Sequence, residues 1–212
     1  MRNFNNWKEV TEMKKIVWGV SLLLILSCTH SGDVKVESVP PEKIRIVQTI
    51  AEQSMNELRK RLMKEFMEAS KDGLTKAVSF CAQDATKIEE KVNSSLQGIK
   101  VTRVSLKYRN PKHKPDKVDV KVLNAFEEDI KRGMLPPYRM VKIEKGGKEY
   151  YLYYKPIRIN TFCLKCHGNP KKMDKSVLQI IRKNYPEDKA VNYKIGELRG
   201  ACKVIIPADK VK

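Results

Sequence analysis

The sequence predicts an α+β domain, and three kinds of pattern support this fold class. Residues 43–71 and 74–92 carry apolar side chains at helical spacing, which predicts two long amphipathic helices early in the domain. Residues 138–144 and 149–157 are strand-like runs on either side of a Lys-Gly-Gly-Lys turn, which predicts a β-hairpin. The run 201–206 is rich in Val and Ile and predicts a last strand. A chain of 212 residues that is 41% hydrophobic can bury the core of one such domain.

The remaining elements are predicted from shorter patterns. Apolar and polar residues alternate over 100–106, which predicts a strand. Residues 118–131 place Val122 and Phe126 on one face and predict a helix, and residues 176–184 predict a short helix. The stretch between the first strand and the first of these helices is rich in Lys and Pro and is predicted to be a loop.

The first 27 residues predict a targeting segment rather than a part of the fold. Two lysines precede the apolar run 16–26, which is too short to be a secure membrane span. Residues 25–28 resemble the bacterial lipobox, so Cys28 is the predicted lipidation site and membrane lipid is a predicted partner. Because the signal is complete from Met13, the true start codon is Met1 or Met13. An uncleaved membrane anchor is the alternative.

Both interpretations of this segment place the rest of the chain outside the cytoplasm. Thr29 does not resemble an inner-membrane retention residue, so the sequence predicts the periplasmic side of a bacterial membrane and favours the outer membrane over the inner one. Residues 28–42 contain Ser, Gly, Asp and two prolines and predict a tether, in which Pro41 suits the first turn of the following helix. The domain itself is predicted to span residues 43–212.

The most informative motif is the C-x-x-C-H sequence formed by Cys163, Cys166 and His167. This spacing is the attachment pattern of haem c, in which two thiols form thioethers with the vinyl groups and the adjacent imidazole binds the iron. A structural zinc site would need a second pair of ligands at suitable spacing, and the sequence has none. A thioredoxin-like pair would need a strand before it and a helix beginning at it, whereas the flanking residues predict loops. A chance occurrence of the motif is the remaining alternative.

A second axial ligand for such an iron has to come from upstream of the motif. Met173, the one methionine that follows it, is too close to His167 to reach the opposite face of a haem. His113 lies in the Lys- and Pro-rich loop, where a solvated histidine is the usual case. Cys81 falls in the middle of the predicted helix 74–92 on its buried face, where a cysteine usually serves as a small apolar side chain. The upstream candidates are Cys81, Met63, Met67, Met134, Met140 and His113.

Several segments occur together in an order that resembles a bacterial family of c-type haem domains known as DUF3365. They are AVSFC at 77–81, VSLKYRNP at 104–111 with PD at 115–116, YKPI at 154–157, CLKCHG at 163–168, and YP at 185–186 through GELRG at 196–200. The resemblance covers roughly residues 43–207. It implies a PAS-like fold, an antiparallel sheet with long N-terminal helices packed against it. It also implies one covalently bound haem c, with His167 as the proximal ligand and Cys81 as the distal ligand.

Three further residues have two interpretations each. Cys202 lies in the predicted last strand, where core packing is the expected role and a second, switchable thiol ligand is the alternative. Arg109 and Arg199 are candidates to face haem propionates, and structural or surface salt bridges are the equal alternative.

The formal net charge of +18 limits the classes of partner. Aromatic residues make up only 7% of the chain and do not alternate with the basic ones as stacking motifs do, and the export signal also argues against nucleic acid. A solvated basic surface is the simplest explanation of the charge. The functional alternative is docking to an acidic redox partner or to anionic lipid.

The sequence therefore predicts a lipid-anchored extracytoplasmic monohaem protein that acts as a redox or small-ligand sensor. A low-potential electron-transfer cytochrome c is the alternative. An enzyme such as a peroxidase is not predicted, because no sequence feature places a histidine or a carboxylate beside the distal face of the iron. A zinc-binding or purely structural protein is the last alternative and would show no visible absorption.

Overall fold

A computed structural model describes residues 34–212 of the chain. Its centre is one antiparallel sheet of five strands in the order β1-β3-β4-β5-β2. The three central strands are joined by the longest ladders, and β4 pairs with β5 from Tyr150 to Arg158 with an irregularity at its last step. The strands are β1 Lys35–Glu37, β2 Lys100–Val104, β3 Arg139–Lys145, β4 Lys148–Arg158 and β5 Leu198–Pro207.

Six α-helices accompany the sheet in the described part of the chain. The first is the longest; it begins at Pro41 and ends at Lys71, and Asp72 and Gly73 follow it. The predicted helices 43–71, 118–131 and 176–184 are confirmed within a few residues. The helices are α1 Pro41–Lys71, α2 Leu74–Gln83, α3 Ala85–Ser95, α4 Lys117–Lys131, α5 Leu164–His167 and α6 Lys175–Asn184. No helix within residues 34–212 is long and apolar enough to cross a membrane.

The two faces of the sheet are covered by different helices because side chains alternate along each strand. Tyr151 and Tyr153 of β4 point toward α1 and join the cluster that contains Val47 and Leu58. The alternate residues of the same strand, such as Leu152, point to the opposite face and pack with Leu123 and Phe126 of α4. The predicted α+β, PAS-like fold is therefore confirmed, with the sheet held between the long N-terminal helix and α4.

The N-terminal predictions are tested only in part. The targeting segment 1–27 and the lipidation site Cys28 lie outside the described residues. Lys35–Glu37, within the predicted tether, forms β1 and pairs with β3, where Val36 lies opposite Ile143. This part of the tether prediction is therefore wrong. The strand was not predicted because three residues are too few to leave a pattern in the sequence.

The predicted helix 74–92 is two helices, with Asp84 at the junction between α2 and α3. Cys81 is therefore near the end of α2 rather than in the middle of a long helix. Its side chain is exposed, so the predicted burial is wrong. The helical periodicity gave the correct direction, because Leu74, Val78 and Cys81 lie on one side of α2 and line the same cavity. Protein side chains leave part of this cavity open, which is why Cys81 is accessible.

Candidate cofactor site

The structure brings all four predicted ligand and attachment residues to one cavity, which we call the motif cavity. It lies between α2, α6, the end of α1 and the segment that carries the C-x-x-C-H motif, and its volume is about 280 Å³. Cys81 enters it from α2, and Cys163, Cys166 and His167 enter it from the region of α5. Residues that are far apart in the sequence therefore meet at one site, as a bound cofactor with several attachment points requires.

The motif is organised as one turn of helix. The backbone N–H groups of Cys166 and His167 donate to the carbonyl of Cys163 at 3.1 and 2.9 Å. In such a turn the positions i, i+3 and i+4 lie on one side, so both thiols and the imidazole face the same space. The turn ends at Gly168, where an added Cβ would lie 2.6 Å from the Leu164 carbonyl oxygen. Glycine is required there because the backbone folds back closely against the turn.

His167 is held in one tautomer and one orientation. Its Nδ1 lies 2.8 Å from the Ala190 carbonyl oxygen, which can only accept a hydrogen bond, so Nδ1 carries the proton and Nε2 has the free lone pair. Burial, together with Arg199 and Arg109, lowers the pKa of His167 to about 3, which keeps the imidazole neutral. The ring also packs edge-on against Tyr193 at a centroid distance of 6.2 Å. A neutral imidazole fixed through its second nitrogen is the arrangement that metal-binding histidines adopt.

Cys81 faces the cavity with a thiol that is protonated in the absence of a partner. The surrounding protein atoms raise the pKa of Cys81 above its usual value, and the charge of Arg103 only partly opposes this effect. A bound metal cation favours the thiolate, so coordination would supply the stabilisation that this environment withholds.

Arg109 ties the motif to the segment that orients His167. Its Nη2 donates to the carbonyls of Cys166 at 2.7 Å and Ala190 at 3.2 Å, and it forms an ion pair with Asp188 at 2.9 Å. Both side chains of this ion pair are largely buried. A structural salt bridge, one of the two predicted roles of Arg109, is therefore present.

Arg199 differs from Arg109 in having no acidic partner within the described part of the chain, residues 34–212. Its Nη1 donates to the Ser105 hydroxyl at 2.8 Å and to the Lys107 carbonyl at 3.2 Å. No carboxylate of residues 34–212 lies within 4.0 Å of its guanidinium, whose charge faces the motif cavity. Burial lowers the pKa of Arg199, and this shift leaves the group charged at neutral pH because it starts from a very basic value.

The structure adds Arg103 and Glu89 to the surroundings of the site, and it places His113, a ligand candidate that was expected to be solvated, at the cavity wall. His113 and Arg103 line the motif cavity, and both contact Glu89 of α3. His113 Nε2 lies 3.5 Å from Glu89 Oε2, Arg103 Nη2 lies 3.3 Å from the same oxygen, and the Thr102 hydroxyl donates to Glu89 Oε1 at 2.7 Å. The side chain of His113 is only 13% exposed, so the expectation of a solvated loop histidine is wrong.

The position of His113 has a local cause that the sequence contains. Asn110 accepts a hydrogen bond from the Lys112 N–H, and Pro111 begins a short 3-10 turn that ends at His113. The Ser105 N–H then donates to the His113 carbonyl at 3.2 Å and holds this turn against β2. An Asn-Pro pair that begins a turn was the available signal.

The wall of the motif cavity has donor groups without acceptors. Arg103 Nε and Arg109 Nε are buried and have no hydrogen-bond partner among the described residues. Buried polar atoms are nearly always paired in proteins, so two unpaired guanidinium nitrogens near one cavity are consistent with a ligand that has acceptor groups. With Arg199 included, the lining favours an anionic ligand.

Comparison with known proteins decides the family. The model of the family described as Tll0287-like matches residues 37–207. The chain belongs to this family. Among solved structures, it is similar to the crystal structure of the cyanobacterial heme-protein Tll0287, with 27% sequence identity and a TM-score of 0.53. The match covers 80% of this chain and 97% of that chain. No curated protein matches the chain.

The family match confirms the resemblance that the sequence motifs carry. The predicted range of roughly 43–207 and the matched range 37–207 differ mainly at the start, where the match also includes Glu37, the last residue of β1, and the first two residues of α1.

The methionine candidates in this Tll0287-like domain lie away from the motif cavity, whereas His113 lines it. Within residues 34–212, no methionine lines it. Met63, Met67 and Met134 are exposed on other surfaces, Met140 packs against the α1 cluster, and Met173 is buried beside Val177. Cys202 is also outside the cavity; it packs against the α1 cluster, and burial raises its pKa to about 12.

Proposed function

We propose that this protein binds one haem c in the motif cavity. Cys163 and Cys166 are the proposed thioether attachment points, His167 the proximal ligand and Cys81 the distal ligand. The observation that carries the proposal is that these four residues, from two separate segments, line one cavity in a chain whose solved relative is a heme-protein.

The residues of the cavity fit this cofactor in charge as well as in ligand chemistry. Haem carries two propionate carboxylates, which are acceptors for hydrogen bonds. The unpaired Nε of Arg109 is a donor, and Arg199 supplies a further cation that has no carboxylate within 4.0 Å among residues 34–212. We assign the propionates to this cationic wall. This fit between basic side chains and propionates supports haem over a zinc ion, because a zinc ion would need additional thiolate or imidazole ligands instead of guanidinium groups.

Each side chain has a distinct role in the proposed site. When bound, the haem supplies an iron that exchanges one electron. His167 provides a neutral nitrogen ligand whose orientation is fixed by the Ala190 carbonyl. Cys81 provides an anionic sulfur, which favours ferric iron and a low potential. If Cys81 left the iron, its Sγ would take up a proton, and the surrounding protein atoms that raise the pKa of this thiol would favour that protonated state.

We infer from this pair of ligands that the protein is a redox or small-ligand sensor. Loss of the Cys81 ligand on reduction would open one coordination position to a small diatomic molecule. The second candidate is a low-potential electron carrier. It is supported by the exposed Phe162 next to the motif and by Lys165, which lies over its ring and leaves a basic edge for an acidic redox partner.

We further propose that the domain is a lipoprotein anchored through Cys28 on the periplasmic side, with the outer membrane favoured. Nucleic acid is not among its proposed partners. The proposal that it is not an enzyme now depends on Cys81 occupying the distal position, because His113 lines the cavity and its Nε2 lies 3.5 Å from the Glu89 carboxylate.

The proposal is tested by the absorption and electron paramagnetic resonance spectra of the ferric protein and of Cys81→Ala. Cys202→Ala is a matched control, because it removes the other described cysteine that lies outside the motif. We expect low-spin thiolate features that vanish in Cys81→Ala and persist in Cys202→Ala. Identical spectra for Cys81→Ala and the unchanged protein would rule out Cys81 as a ligand. Haem that separates from the polypeptide on denaturation would rule out the thioethers.

A further inference from the structure

A second cavity lies beside the sheet and outside the proposed haem site. It is formed between the middle of α1 and the end of β4, and its volume is about 310 Å³. Leu58 and Cys202 form its inner part, while Leu62 and Met63 of α1 and Ile157 of β4 line its opening. Met63 and Ile157 are exposed by 47% and 37%, so apolar surface faces solvent here. A concave apolar site of this size lies at the lower end of the range for small-ligand pockets, roughly 300–1,000 Å³.

The charges around this cavity are mostly positive. Arg59, Arg103 and Lys155 line it, and Glu52 is the one acidic residue in the lining. Glu52 is already engaged, because it forms an ion pair with Lys155 at 2.8 Å and accepts a hydrogen bond from Tyr153 at 2.7 Å. The guanidinium of Arg103 already donates a hydrogen bond to the carboxylate of Glu89. Arg59 has no carboxylate within 4.0 Å among residues 34–212.

A second observation points to a missing acceptor. The Nε of Arg103 is buried and makes no hydrogen bond with any described residue. The thiol of Cys202 adds no negative charge at neutral pH, because burial raises its pKa to about 12. The cavity therefore combines an apolar interior with two guanidinium groups that have free donor capacity.

We propose that this cavity binds a small, single-chain aliphatic carboxylate. The alkyl chain would lie against Leu58, Leu62 and Ile157, and the carboxylate would bind Arg59 and Arg103. Guanidinium groups match carboxylates in charge and geometry. A lipid with two acyl chains is too large for a cavity of about 310 Å³, and an amine of the same length would be repelled. This site shares Arg103 with the wall of the motif cavity, but its existence does not rest on the proposed haem function.

The test is a titration of the haem-loaded, full-length protein with octanoate, in which isothermal titration calorimetry measures the binding. Octylammonium and octanol are the cationic and neutral probes of matched chain length. For about ten ligand atoms we expect a dissociation constant for octanoate of about 1 mM or tighter. Octylammonium should not bind, and octanol should bind at least about tenfold more weakly than octanoate because it cannot form charge-assisted hydrogen bonds.

Two variants on the same helix locate the site. Arg59→Ala should weaken octanoate binding about fivefold to tenfold. Lys60→Ala removes the neighbouring cation, which does not line the cavity, and should leave the affinity unchanged. Both variants should keep the haem absorption of the unchanged protein, because neither residue lines the motif cavity. Loss of haem absorption would count against the proposed function, whereas loss of octanoate binding alone concerns only this second cavity.

Three results would overturn the proposal. The first is no saturable binding of octanoate, and the second is equal affinity for octanoate and octylammonium. The third is self-association through this surface, seen as a dimer in sedimentation that Ile157→Glu dissociates while octanoate fails to bind. That result would assign the groove to a second copy of the chain.

Discussion

The most completely buried charges of the domain lie away from both cavities, at Lys203 and Asp119. Lys203 Nζ donates to Asp119 Oδ1 at 2.6 Å, and the Tyr154 hydroxyl donates to the same oxygen at 2.8 Å. The second carboxylate oxygen of Asp119 accepts the Asp116 N–H at 3.1 Å, which completes the capping box of α4. Every group in this network has a partner, so it joins β4, β5 and α4 without a buried unpaired charge.

We expect Lys203→Met to destabilise the domain by about 3–5 kcal/mol, because it leaves the Asp119 carboxylate buried without its cation. Lys148→Met is the matched control, since it removes an exposed strand lysine and should change the free energy of unfolding by less than about 0.5 kcal/mol. Urea denaturation followed by circular dichroism measures both. Equal stability of the two variants would contradict a role for the network.

At the scale of elements, α1 is attached to the sheet by polar as well as apolar contacts. Glu52 of α1 accepts hydrogen bonds from Tyr153 at 2.7 Å and from Lys155 of β4 at 2.9 and 2.8 Å. Burial acts to raise the pKa of Glu52, but the hydrogen bonds from Lys155 and Tyr153 outweigh it and hold the pKa below its usual value.

A carboxylate with a lowered pKa in the folded state stabilises that state above its unfolded pKa of about 4.3. This contribution is lost as the pH falls through the folded value. We expect Glu52→Gln to cost about 1 kcal/mol near neutral pH, and we expect this cost to shrink as the pH falls below about 4.3. Glu57→Gln on the same helix, which removes an exposed ion pair with Arg61, should cost less than about 0.5 kcal/mol. A cost for Glu52→Gln that does not vary with pH would contradict this account.

The elements show which parts of the structure the sequence could predict. Repeating patterns located α1, α4, α6 and the β3–β4 hairpin because each buries one face against a core. The same periodicity gave the direction of Cys81 but not its accessibility, since a pattern does not show whether neighbouring side chains fill the space. His113 was named as a candidate ligand, but its burial at the cavity was not predicted, because a turn set by two residues carries it there and turns have no period. The contact between Arg103 and Glu89 depends on the packing of α3 against β2, and no local sequence pattern predicts that packing.

At the scale of the whole molecule, the two proposed functions differ in the behaviour of the reduced protein. If the domain is a sensor, reduction releases Cys81, and carbon monoxide should then shift the absorption of the ferrous protein. If it is an electron carrier, the ferrous protein keeps both ligands and its spectrum should not respond to carbon monoxide. The Cys81→Ala variant is a positive control for an open position. A ferrous protein that ignores carbon monoxide while this variant binds it would exclude gas sensing.

Arg103 lies in the walls of both cavities, and this placement has a thermodynamic consequence. A carboxylate that binds Arg103 from one side reduces the positive potential felt on the other, which favours the more positive, oxidised iron. By reciprocity, oxidation of the iron must tighten carboxylate binding by the same factor. The electron and the carboxylate would then be heterotropic ligands of one protein. The midpoint potential should fall when octanoate is added, and an unchanged potential would show that the two cavities are energetically separate.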